Sequence, residues 1–150
     1  MHSVFRSAGS ALVLSLFLLP VLSGATPVED ARTALSEGRL SEIDSILQKE
    51  LARQTPSEDA LRLSLEAAVR SGRFITANYR ITPLLKLTDN RDLDLLFQGA
   101  EVAELMGNER LALSRYLLYA QNAKGTSTER QTAFAYILTH GDFPNEYREY

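Results

Sequence analysis

The sequence predicts an all-α chain of repeated helical hairpins, and three observations predict it. Gly38, Gly72, Gly107 and Gly141 divide the chain at spacings of 34, 35 and 34 residues. Each stands where one amphipathic stretch ends and another begins, the place for a helix stop. Between them the apolar residues recur at helical offsets, with no useful run of strand-like alternation. A fixed period of this size marks stacked supersecondary units.

Taken in order, the first residues read as a secretory leader. Arg6 supplies one positive charge, with His2 a weak second. Residues 11–22, ALVLSLFLLPVL, form an apolar run, and Ser23-Gly24-Ala25 supplies small residues of the kind signal peptidase accepts. Such a run covers about 18 Å as a helix, short of a ~30 Å hydrocarbon core. Pro20 interrupts it as well, so an uncleaved membrane anchor is the weaker reading. The chain contains no cysteine, which excludes a bacterial lipoprotein anchor and any disulfide framework. Residues 1–25 are thus expected to be a signal peptide cleaved after Ala25. Residues 26–150 are expected to form a secreted or periplasmic domain long enough to bury a core. The membrane is expected to matter only through the uncleaved leader.

Helix starts are marked too. Thr26-Pro27-Val28-Glu29 and Thr55-Pro56-Ser57-Glu58 read as capping boxes with Pro at the first helical position, and Thr126-Ser127-Thr128-Glu129 repeats the box without Pro. Asp89-Asn90-Arg91-Asp92 is a looser relative. One-face apolar stripes follow: Ile43, Ile46, Leu47 and Leu51; Leu61, Leu65, Ala68 and Val69; Leu93, Leu96, Ala100 and Ala103; Leu113, Tyr116, Leu117 and Ala120. The stretch from Asp92 to Met106 carries a second apolar face through Leu95, Val102, Leu105 and Met106, as a helix sandwiched between neighbours would. Pro83 lies inside a predicted helix and should kink or break it near Thr82. The units fall at about 26–54, 55–88, 89–125 and 126–150, the last incomplete.

On these residues the chain resembles the tetratricopeptide repeat family, whose unit is two antiparallel helices. Five residues after the glycine that family wants a small residue; Ala77 and Ala112 match, whereas Ile43 and Glu146 depart. Nine residues after it Tyr116 matches a favoured aromatic, and Leu47 and Ile81 are apolar. Two residues after it Leu40, Phe74 and Phe143 fit a bulky anchor; Glu109 departs, with Leu111 displaced from that place. Four residues before it Ala34, Ala68 and Ala103 fit and Ile137 departs. The family's Trp is absent. The resemblance covers residues 27–150 and implies a right-handed α-solenoid of about three and a half repeats; a sibling α-solenoid would use similar hairpins. It also implies a groove lined by the first helices, with Arg62, Glu66, Phe97 and Glu101 facing it. Those four do not make the Lys/Asn clamp with which one subfamily grips a C-terminal carboxylate.

Composition excludes several classes. Lys and Arg number 16 against 19 Asp and Glu, for a net charge of −3, and losing Arg6 with the leader makes it −4. The basic residues are scattered singly, so nucleic acid is not the expected partner. After cleavage His140 is the lone histidine; beside a helix end it is expected to interact with the last carbonyls. No second His and no Cys accompany it as transition-metal ligands. Asp89–Asp94 lacks the alternating ligands and the glycine of a calcium loop. No phosphate-binding glycine loop and no G-x-S-x-G elbow occurs. Glu58-Asp59 and Glu101/Glu104 read as surface charge. No catalytic residue, metal site or cofactor is expected, and the chain is not read as an enzyme. Of the tyrosines, Tyr116 and Tyr136 are expected to pack between hairpins, while for Tyr119, Tyr147 and Tyr150 packing and an aromatic recognition surface both stay open.

The function implied is an exported helical-repeat scaffold for protein–protein or protein–peptide interaction, for example in the bacterial envelope. Two alternatives stand beside it: an accessory N-terminal region of a larger exported enzyme, and a structural module that self-associates. The last unit carries a first helix at 129–140 and then only enough residues past Phe143 for two turns. Its apolar residues Phe134, Ile137 and Leu138 are therefore expected to be covered by further repeats, a partner or a second copy.

Overall fold

A computed structural model describes residues 25–141. The expected signal peptide, apart from Ala25, and residues Phe143, Glu146, Tyr147 and Tyr150 lie outside the described residues. Among those described there are eight helices and no strand. They are α1 (Pro27–Ser36), α2 (Ile43–Ile46), α3 (Gln48–Leu51), α4 (Glu58–Arg70), α5 (Phe74–Leu87), α6 (Leu93–Leu105), α7 (Glu109–Asn122) and α8 (Thr128–His140). From α4 onward each helix packs on the next, across connections of three to five residues, while α1 packs on both α2 and α4. Connections this short leave touching helices antiparallel.

Three of the four spaced glycines end their helices identically. Gly38, Gly72 and Gly107 have φ of 76°, 70° and 70°. Behind each, the following N–H reaches back to a carbonyl one turn inside the helix: Arg39 to Ala34 at 2.8 Å, Arg73 to Ala68 at 2.8 Å and Asn108 to Ala103 at 2.9 Å. This is the Schellman closure, which needs a left-handed residue at the turn. Gly141 differs: its φ is −73°, and its N–H bonds Ile137 in an extended exit. The end of α5 closes in the Schellman way without glycine. Asp89 and Asn90 take φ of 50° and 56°, and the Asn90 N–H donates to Leu85 at 2.8 Å. Short polar side chains tolerate that region better than others do.

The helix starts need correction at three places. At Thr26 the capping box forms in full, with the Thr26 N–H donating to Glu29 Oε2 at 2.8 Å and the Glu29 N–H to Thr26 Oγ1 at 3.3 Å. Helix α4 is capped by Ser57 rather than Thr55, since the Ser57 hydroxyl stands nearer the first buried residue and accepts the Ala60 N–H. Ser127, not Thr126, caps α8 through the Arg130 N–H. Asp92, not Asp89, caps α6 through the Leu95 N–H at 3.0 Å. Adjacent hydroxyls and carboxylates cap about equally well; the register of buried residues selects among them.

Helix α5 is not broken at Thr82 but runs through Pro83 to Leu87. A mid-helix proline costs about 3 kcal/mol. Ile81, Leu84 and Leu85 are buried around it, and each contributes about 1.5–3 kcal/mol, so packing wins. The stretch after Gly38, by contrast, divides into two short helices at the buried Leu47.

The core is two clusters joined through α4. Leu61, Leu65 and Ala68 face the larger one, with α5 to α8. Ala60, Leu63 and Ala67 face the smaller one, with α1 and α2. Helix α6 is likewise sandwiched between α5 and α7, although Leu105 of its expected second face is 62% exposed. Leu117, expected in a buried stripe, is exposed as well. The α2–α4–α5 junction is polar: Asp44 accepts from Ser64 and Arg73, and Arg80 Nε donates to the buried Ser64 hydroxyl at 2.9 Å. Burial alone would raise the Asp44 carboxyl; Ser64, Arg73 and Arg80 outweigh it and hold it below the ordinary carboxylate range.

Candidate functional site

Helices α4 and α6 and the start of α8 present two adjoining depressions. One, of about 310 Å³, is lined by Arg62, Leu65, Glu66 and Gln98. The other, of about 610 Å³, runs from Leu93 and Asp94 past Phe97, Gln98 and Glu101 to Ser127 and Glu129. Gln98 belongs to both, which makes them one run along neighbouring helices. The four residues singled out in the sequence therefore meet on one surface, Arg62 with Glu66 at one end and Phe97 with Glu101 at the other.

Their surroundings differ. Arg62 is clasped, with Nε donating to Glu58 at 2.8 Å and Nη2 to Asp92 at 2.7 Å. Asp92 thus caps α6 and ties it to α4 with a single carboxylate. Burial alone would raise that carboxyl, but Arg62 and the Leu95 N–H hold it down. Glu66 is exposed and lies 3.5 Å from Arg70. Phe97 is half-buried, its ring 5.7 Å from Tyr116 and 5.3 Å from Tyr119 between centroids. Glu101 is exposed, and burial of part of its carboxyl, then repulsion from Glu104, pushes its pKa up.

Tyr119, whose role the sequence left open, is buried, with its hydroxyl 3.5 Å from Ser127 Oγ at the floor of the larger depression. Tyr116 is buried as expected, and burial followed by Glu104 pushes its phenol up. Tyr136 is half-buried and packs on Tyr116 at 4.9 Å. His140 stacks on Tyr136 at 4.0 Å and places Nδ1 3.1 Å from the Tyr136 carbonyl, the helix-end role its position suggested.

The sequence reading did not anticipate what positions α6. Gly99 sits one residue past Gln98, and the buried Arg115 of α7 donates to its carbonyl at 2.7 Å and to Asn78 Oδ1 of α5 at 2.7 Å. The signal is a glycine away from the evenly spaced ones, opposite a charged residue on the buried face of α7, between Ala112 and Tyr116.

A separate depression of about 540 Å³ lies at the hairpin turns, lined by Gly72–Thr76, Leu105 and Met106. Among the described residues, no three His, Asp or Glu side chains converge as metal ligands, and no helix is long and apolar enough to cross a membrane. Comparison with protein-family models, curated proteins and solved structures found no match.

Proposed function

We propose that this chain is an exported helical-repeat scaffold, a right-handed α-solenoid similar to the tetratricopeptide repeats, that binds a protein or peptide along α4, α6 and α8. The observation that carries the reading is the shared run of depressions, in which Arg62, Glu66, Gln98, Phe97 and Glu101 line one concave surface. The repeat register is supported by burial. Ile43, Ala77 and Ala112, five residues past successive glycines, are all fully buried, as are Leu47 and Ile81 nine residues past, with Tyr116 1% exposed at the third such place. Ala34, Ala68 and Ala103, four residues before them, are fully buried too. Export rests on the leader at residues 1–25. The partner is protein rather than nucleic acid or a cofactor.

Immobilised protein offered envelope extract tests the reading. It should retain one protein near stoichiometrically, and a folded variant with Arg62, Glu66, Phe97 and Glu101 changed to Ala should lose it. Equal retention by both would place binding elsewhere. One observation favours a second reading, self-association: Phe134 and Leu138 are 42% and 63% exposed beside Leu117, around an apolar depression of about 320 Å³. Sedimentation over a range of concentrations tests it; an unchanging monomer would contradict it.

A further inference from the structure

We infer that the occupant of the larger depression is a basic peptide segment, one that places an apolar or aromatic side chain on Phe97 between flanking Lys or Arg residues. This rests on the scaffold reading and adds the chemistry of the partner. The floor is aromatic: Phe97 is half-buried against Tyr119, which leaves part of its ring as a contact surface. The rim is of one sign. Asp94, Glu101 and Glu129 line the depression and no basic side chain does. None of the three has a basic partner within 4.0 Å among the described residues, whose ion pairs engage other carboxylates.

The adjoining depression does not reverse that sign. Its one cation, Arg62, already bridges Glu58 and Asp92, and its other charged residue is Glu66. A concave site lined by one charge with low-dielectric walls concentrates the opposite charge. Carboxylates with no basic partner gain more from an arriving ammonium or guanidinium than from water alone, and Glu101 is in addition partly buried beside Glu104. The same sign repels phosphate backbones and anionic lipid surfaces, and an acidic peptide would add like charges beside Glu101 and Glu104.

The test is selection of a displayed library of random peptides on the purified protein, run in parallel on Phe97→Ala and on Asp94→Asn/Glu101→Gln. Enriched peptides should carry Lys or Arg around an aromatic or large apolar residue. A synthetic copy of the most enriched one should bind roughly two- to thirtyfold more weakly to the double variant, the loss of two exposed ion pairs. Its affinity for the unaltered protein should fall as salt is raised. Acidic or neutral winners that depend on Phe97 would overturn the inference and leave the scaffold standing. Winners that bind Phe97→Ala equally well would overturn both.

Discussion

Arg115 Nη1 donates to the Gly99 carbonyl at 2.7 Å from a side chain only 5% exposed, and that bond fixes α7 against α6. No carboxylate lies within the 4.0 Å of an ion pair among the described residues, so carbonyl oxygens of Gly99 and Asn78 solvate the buried charge. The guanidinium fits because residue 99 has no side chain. A Cβ there would stand 3.1 Å from Ile81 Cγ2 and 3.2 Å from Arg115 Cδ. Gly99→Ala gains about 1 kcal/mol of helix propensity but overpacks a fully buried Ile and a doubly bonded Arg at about 1–3 kcal/mol. A net loss of about 1 kcal/mol is expected from urea unfolding, and a larger one for Gly99→Val.

The evenly spaced glycines should not respond alike. Gly72→Ala forces a side chain into the left-handed region at φ 70° and is expected to cost about 1–2 kcal/mol. Gly141→Ala, at φ −73°, carries no left-handed backbone penalty and is expected to cost less than Gly72→Ala. Thermal unfolding of the two variants separates a true turn residue from a coincidence of spacing.

Capping makes a parallel contrast. Ser57→Ala removes the acceptor of the Ala60 N–H and should cost about 1 kcal/mol. Thr55→Ala, outside the helix and exposed, should leave the unfolding midpoint in place. The opposite ranking would return the cap to Thr55.

Acid should loosen the α2–α4–α5 junction. Because folded Asp44 is held below its ordinary value, the unfolded chain binds more protons and stability rises with pH through that window. The contribution is fully present above an unfolded value of about 3.9 and is lost as pH falls through the lower folded value. Asp44→Asn should flatten this part of the urea midpoint profile between pH 5 and pH 2; an unaltered slope would remove Asp44 from the account.

Much of the architecture was legible because it rests on local chemistry. A glycine at positive φ, a hydroxyl at a helix start and a stripe at helical spacing each reveal themselves within a turn or two of chain. What escaped was decided across helices. Ser57 and Ser127 prevailed over neighbouring threonines through the register of burial, and Asp89 took a glycine's place at the end of α5. Pro83 stayed helical because Ile81, Leu84 and Leu85 pack around it. Arg62 with Glu66, and Phe97 with Glu101, could be paired by offset, since helical spacing fixes which residues share a face. The burial of Tyr119 and the clasp on Arg62 could not be read this way, because both depend on residues from another helix.

The most direct test is a photo-crosslinking amino acid placed at Gln98, which lines both depressions, and separately at Tyr79, which is 71% exposed outside them. In cells producing the protein, Gln98 should capture one partner on illumination and Tyr79 should not. Capture from Tyr79 alone would contradict a groove-binding scaffold and move the interaction to the outer surface of α5.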